Sequence, residues 1–136
     1  MTEFSKAMSI AASGMLAQNM RLRVISENIA NAESVGTAPG ADPYRRQTVS
    51  FRNKLDRELG VNLVELNKVG RDKAAFPTVN DPSHPAADAD GRVKMPNVNS
   101  LIELMDLRQA QRSYQANLRV IDVARTMVSR TIELLR

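Results

Sequence analysis

The sequence has no cysteine and a single histidine, His84. The first absence excludes disulfides, thiolate nucleophiles and cysteine-ligated zinc or iron–sulfur centres; the second excludes a His–His metal pair within one chain. Tryptophan is missing too, and the aromatics are only Phe4, Phe51, Phe76, Tyr44 and Tyr114. So few rings are a poor supply for a large core or for stacking single-stranded bases. No run approaches the roughly 18 consecutive apolar residues of a membrane span, so direct membrane insertion is not expected. The opening residues MTEFSKAMSIAASGMLAQNM lack a basic segment followed by a continuous apolar one, which argues against a cleaved secretory signal. A chain of this kind is expected to stay in the cytosol or to leave it by a route that needs no cleaved signal.

Proline is absent from both ends of the 136-residue chain. Pro39, Pro43, Pro77, Pro82, Pro85 and Pro96 all lie within residues 36–97, as do all the glycines except Gly14. The ends are therefore free to form long helices, while the middle is cut into short pieces. The net charge of +4 is dispersed, with three basic and three acidic residues in 1–35, ten and eight in 36–97, and six and four in 98–136. A nucleic-acid-binding arm concentrates its basic residues, so no nucleic-acid partner is expected.

The first end predicts a helix over about residues 5–32. Met8, Met15, Leu22 and Ile29 recur every seven residues, and Ala11, Gln18, Ile25 and Ala32 follow three positions later. This is a coiled-coil-like stripe. Gly14 sits within it, either tolerated at a cost of about 1 kcal/mol or placed where another helix crosses closely. The last end predicts a helix over about 98–135, with Leu107, Tyr114, Ile121, Val128 and Leu135 at seven-residue spacing and Leu104, Leu118 and Ile132 beside them. Asn99 or Ser100 suits its N-cap, with Glu103 in the first turn. The Tyr114 ring is expected on the apolar seam, with its hydroxyl on a polar partner. Helices of roughly 40 and 55 Å need to bury their stripes against each other or against other subunits. Between them, 44–51 and 61–69 read as strands, 92–95 as a short strand and 71–91 as mostly irregular, while 52–59 suits either a helical turn or a loop. The fold class is thus mainly α with a small β-containing middle. The divisions are an N-terminal helix (1–35), a β- and loop-rich segment (36–97) and a C-terminal helix (98–136).

Motifs for chemistry are sparse. Asp88-Ala89-Asp90-Gly91 resembles part of a calcium loop, but Ala86 stands at the first ligand position and Asn97 at the last, so a turn is expected. His84, between Ser83 and Pro85, reads as structural. No Walker loop, dinucleotide fingerprint or Ser-His-Asp order occurs. Neither catalysis, cofactor, metal nor small-molecule substrate is expected. The arginines of the last helix (Arg108, Arg112, Arg119, Arg125 and Arg130) are mixed with Asp106, Asp122 and Glu133, as on a solvated or subunit-bridging face.

Residues 9–34, SIAASGMLAQNMRLRVISENIANAES, resemble the start of the axial proteins of the bacterial flagellar rod and hook. A helix with a small Ser13-Gly14 step runs there into Asn28-Ile29-Ala30-Asn31. PYRRQTVSF (43–51), DPSHPAADADGRVKMPNVN (81–99) and RSYQANLRVIDVARTM (112–127) follow in the order found among proximal-rod proteins. The likeness covers most of the chain and is weak only over about 52–75; Arg92 stands where an aromatic is expected. The resemblance implies a non-catalytic subunit, exported through the flagellar type III channel and assembled helically into the rod that crosses the periplasm and transmits torque. It implies an inner coiled-coil tube of terminal helices and a small outer domain. The implied partners are other copies, other rod proteins and, at the rod base, the inner-membrane ring and export gate. The candidate packing and assembly residues are Met8, Gly14, Met15, Leu22, Ile25, Ile29, Leu104, Leu107, Tyr114, Leu118, Ile121, Val128, Ile132 and Leu135. Other readings of the same pattern are a monomeric helical hairpin, a helical cytosolic adaptor or export chaperone, and a basic DNA-associated protein.

Overall fold

The computed structural model describes residues 2–136. Its elements are α1 (Glu3–Ala30), β1 (Gln47–Asp56), β2 (Val61–Arg71), β3 (Thr78–Asn80), β4 (Arg92–Lys94) and α2 (Ser100–Leu134). The layout is helix, small sheets, helix. Both helices are sharply capped. The Thr2 hydroxyl accepts the Ser5 N–H at 3.2 Å, and Asn99 Oδ1 accepts the N–H groups of Leu101 and Ile102 at 3.1 and 3.3 Å, so each cap satisfies donors the helix leaves open. At the C-terminal end of α1, Asn31 Nδ2 donates to the Glu27 carbonyl at 2.8 Å.

β1 and β2 form a two-stranded sheet. With only residues 57–60 between them they must run antiparallel. The segment 52–56, open between turn and loop in the sequence, is strand. Arg52 and Lys54 both reach across to Glu65, at 2.9 and 3.0 Å, and cross-strand charge pairs of this kind support a solvent-facing ladder. The turn follows where Asp56 Oδ1 accepts the N–H groups of Glu58 and Leu59 and Gly60 takes φ +66°. β3 and β4 form a second antiparallel pair with Thr78 opposite Lys94, Val79 opposite Val93 and Asn80 opposite Arg92. β3 is a strand the sequence did not suggest, since three residues are too few to establish a period.

The chain divides into two compact units. One gathers α1 through Leu22, residues 50–68 and residues 108–136; the other gathers residues 23–49 and 69–107. Among the described residues the apolar side chains buried in the first are small: Ala11, Ala17, Ala110 and Ala124. In it the Ser13 hydroxyl accepts the Val64 N–H at 3.2 Å and donates to the Ile10 carbonyl at 2.7 Å, so a helix side chain holds β2. The second unit buries Val24, Ile25, Ala86 and Val93, together with two polar residues, Asn28 and Glu103.

Candidate functional site

The most ordered chemistry lies around those two polar residues. Asn28 is on the inner face of α1, four residues from Val24 and three from Ile25, and is 1% exposed. Its Oδ1 accepts the Gln47 N–H and the Tyr44 hydroxyl, both at 2.8 Å, while its Nδ2 donates to the Gln47 carbonyl at 2.9 Å. One amide side chain thus serves both backbone groups of the first β1 residue, as a neighbouring strand would. Nδ2 also approaches Glu103 Oε2 at 3.4 Å.

Glu103 comes from the first turn of α2 and is fully buried. A carboxylate there needs a charged partner, and Arg46 supplies it through Nε. Arg46 is held on every side. Its N–H donates to Asn97 Oδ1 at 2.7 Å, its carbonyl accepts the Asp72 N–H at 2.8 Å, and its guanidinium lies 3.5 Å from Asp72 and 3.9 Å from Asp106. Burial pulls the Arg46 pKa down, but the Glu103 hydrogen bond and the charges of Glu103, Asp72 and Asp106 outweigh it and leave it raised. The Tyr44 hydroxyl is likewise raised, first by burial and then by Glu27 and Glu103, against the opposing Arg71 cation. Arg45 completes the cluster, donating to the Asp72 and Ala74 carbonyls at 2.7 and 3.1 Å and stacking on Phe76 at 4.2 Å.

These groups neutralise and fix one another. They offer no free nucleophile, and no three His, Asp or Glu side chains among the described residues are grouped to hold a metal. The other sequence candidates have local structural roles. Asp88 Oδ1 accepts the N–H groups of Asp90 and Arg92, both at 2.9 Å, which makes the Asp-Ala-Asp-Gly segment a turn closed by Gly91 at φ +76°. His84 Nδ1 accepts the Ala86 N–H at 3.0 Å. Arg92, where an aromatic was expected, is an exposed end residue of β4.

The helix candidates fall into two groups. Ile25 is buried, and Met8, Met15, Leu22, Ile29, Leu107, Tyr114, Ile121 and Val128 are half-buried. Tyr114 and Ile121 line one groove with Ala12, Met15 and Leu16, and the Tyr114 hydroxyl has no hydrogen bond among the described residues, unlike the expectation. Leu104, Leu118, Ile132 and Leu135 are 47, 42, 53 and 82% exposed. On α2 the inner positions beside the Leu107–Val128 line are Glu103, Ala110, Asn117 and Ala124, one residue before the apolar series 104, 118 and 132. Gly14 meets Asn117: a Cβ there would lie 2.9 Å from Asn117 Nδ2, so α2 does approach closely at the small step. A further groove of the same unit, about 470 Å³, is lined by apolar side chains including Phe4, Ala7, Val120, Val123 and Met127.

The sequence singled out Asn28 only as part of Asn28-Ile29-Ala30-Asn31 and Glu103 only as a first-turn acid, and it gave no role to Arg46, Asp72 or Asn97. The available signal was phase: Glu103 stands seven residues before Ala110 and fourteen before Asn117.

Residues 89–134 match the family described as flagellar basal body rod FlgEFG protein C-terminal. The chain is 54% identical over 136 residues to the flagellar basal-body rod protein FlgC of Agrobacterium fabrum, covering 100% of this chain and 98% of that one. It is 39% identical over 125 residues to FlgC of Salmonella typhimurium, covering 92% of each, and 32% identical over 149 residues to FlgC of Bacillus subtilis, covering 98% and 99%. With relatives at these identities matched along nearly their whole length, the chain belongs to the family of the flagellar basal-body rod protein FlgC.

Proposed function

We infer that this chain is a structural subunit of the proximal rod of the flagellar basal body, built into a helical assembly that transmits torque for motility. The observation that carries the reading is the 54% identity to a rod protein over the complete chain. The family is structural and not enzymatic.

Physical features of the chain support the assembly role. Val120, Val123 and Met127 of α2 are 45, 58 and 49% exposed, and they line one apolar groove with Phe4 and Ala7. Large apolar side chains left half open along a helix stabilise an association when covered, by roughly 1 kcal/mol each, about half the value for burying a fully exposed side chain. A heterologous contact repeated by a screw operation gives a tube or filament. In this reading α1 and α2 pair as a coiled-coil-like hairpin in the inner wall (1–35 and 98–136), and residues 36–97 form a small outer domain. Its neighbours are further copies and other rod proteins, with the inner-membrane ring and export gate at the base.

The test is deletion of the gene, followed by electron microscopy and mass spectrometry of purified basal bodies. Rods missing from the mutant, and this chain present in wild-type rods, are the expected result. Intact rods lacking this chain would return the adaptor or chaperone reading.

A further inference from the structure

The apolar pattern leaves one thing open. Met8, Met15, Leu22 and Ile29 repeat every seven residues on α1, and Leu107, Tyr114, Ile121, Val128 and Leu135 do so on α2. Sliding one stripe by seven residues past the other replaces each apolar side chain by another. Something other than apolar burial must therefore select the alignment. Alignment matters for a polymer subunit, because it decides which side chains of the two helices stand together on each outward face.

The cluster of the second unit has the properties of such a selector. Glu103 and Asn28 are its fully buried side chains, 0 and 1% exposed. Glu103 meets one guanidinium, that of Arg46. The receptacle is built largely outside α2: Asn97, three residues before the helix, and Asp72 hold the Arg46 backbone, and Gln47 and Tyr44 hold the Asn28 amide. Seven residues further along α2 stands Ala110, which has neither charge nor length to answer Arg46. A slipped helix would leave the guanidinium without its buried partner and would carry the Glu103 carboxylate away from Arg46. Buried polar groups commonly cost stability relative to apolar ones, and their best-attested benefit is the choice of register.

We propose that the Arg46–Glu103 pair, seated on Asn28, is the register lock of this subunit: it fixes α2 against α1 and β1 in the one alignment that presents the assembly faces. The proposal rests on the reading that the two helices pair, and the experiment separates the two ideas. The chain has no cysteine, so spin labels can be placed cleanly by Ser26→Cys on α1 and Met105→Cys on α2, both exposed positions of the same unit. Pulsed dipolar spectroscopy on the full-length chain then reads their separation. With the native pair a single narrow distance is expected. Absence of any defined distance would overturn helix pairing, and the lock with it.

In Arg46→Met/Glu103→Leu, which keeps bulk and removes both charges, a second population is expected, offset along the helix axis by about 10 Å, the rise of seven helical residues. One unchanged distance with helicity retained overturns the lock while leaving the pairing intact. A second variant guards against simple loss of folding. Glu103→Ala/Ala110→Glu moves the carboxylate by seven residues, so the distance should shift as a whole to the slipped value. A native distance there also overturns the lock. A purely structural salt bridge would change stability in these variants without moving the distance.

Discussion

Replacing Asn28 by alanine removes more than its place on an apolar stripe suggests. Three well-formed hydrogen bonds are lost, to the Tyr44 hydroxyl and to both backbone groups of Gln47, at 2.8, 2.8 and 2.9 Å, along with a weaker one to Glu103 at 3.4 Å. A net hydrogen bond is worth about 1 kcal/mol, and a donor or acceptor left buried without a partner costs about 1–3 kcal/mol. Gln47 is only partly buried, which allows some water in and favours the lower end of that range. The truncated side chain also leaves a void in a packed site. Together these place Asn28→Ala at about 3–4 kcal/mol of destabilisation, a large share of the stability of a small domain.

The assay is urea unfolding of the full-length chain followed by far-UV circular dichroism, with Tyr44→Phe as the partner mutation. Tyr44→Phe alone should cost about 1 kcal/mol. Asn28→Ala already removes the acceptor of that hydroxyl, so the double variant should be little worse than Asn28→Ala, giving a coupling energy near 1 kcal/mol. A cost below about 1 kcal/mol for Asn28→Ala would refute the view that Asn28 acts as a surrogate strand for Gln47, and strict additivity with Tyr44→Phe would refute its bond to the Tyr44 hydroxyl.

Gly14→Ala should destabilise the chain despite the roughly 1 kcal/mol that alanine gains over glycine in a helix, because its Cβ runs into Asn117, whose amide is tied to the Ser113 carbonyl at 3.0 Å. In an Asn117→Ala background the sign should reverse, and a stabilising Gly14→Ala in the wild-type background would contradict the close approach. Ile121→Asp should unfold the free subunit by several kcal/mol, whereas Leu118→Asp, at an exposed position, should change its stability by about 0.5 kcal/mol or less and still abolish rod assembly; normal motility of the Leu118 variant would remove that residue from the assembly face. The raised Tyr44 pKa means that the neutral hydroxyl stabilises the fold, in full below about pH 10 and progressively less as the pH rises through the higher folded value. Tyr44→Phe should remove that part of the alkaline loss of stability, and identical pH dependence in both proteins would argue against it.

How much of this was visible in the sequence follows from what a periodic pattern can encode. Two long helices were legible because proline-free stretches with a seven-residue apolar repeat admit little else, and the Asn99 cap was legible because its side chain acts locally. The strand over 52–56 was not, since Arg52, Asn53, Lys54 and Leu55 are all exposed and alternate no faces. Its partner Glu65 is thirteen residues from Arg52, beyond any local signal. The polar cluster was hidden for the same reason: Asn28, Arg46, Asp72 and the Asn97–Glu103 stretch are far apart in the chain, and their residues look like ordinary surface residues one at a time. The series Leu104, Leu118 and Ile132 exposes a different limit. Apolar spacing reports that side chains seek cover, but not whether the cover comes from the same molecule.

That distinction explains the unusual distribution of side-chain size on the helices. In the first unit the fully buried apolar residues are alanines, while Leu16, Val123, Met127 and Leu135 stand open at 72, 58, 49 and 82%. A monomer optimised for its own stability would place the large side chains inside, where each is worth roughly 1.5–3 kcal/mol. Alanines inside instead let two helix backbones come close, at little side-chain entropy cost. The large residues are left uncovered by the subunit itself. Such an arrangement supplies little apolar discrimination between helix alignments, because one buried alanine is much like the next. The discrimination must then come from groups that differ in charge and shape, and on α2 the inner positions beside the Leu107–Val128 line that are not alanine are Glu103 and Asn117, the first facing Arg46 and the second facing Gly14. A subunit that keeps its large apolar side chains outside therefore has reason to specify its own alignment with buried polar pairs.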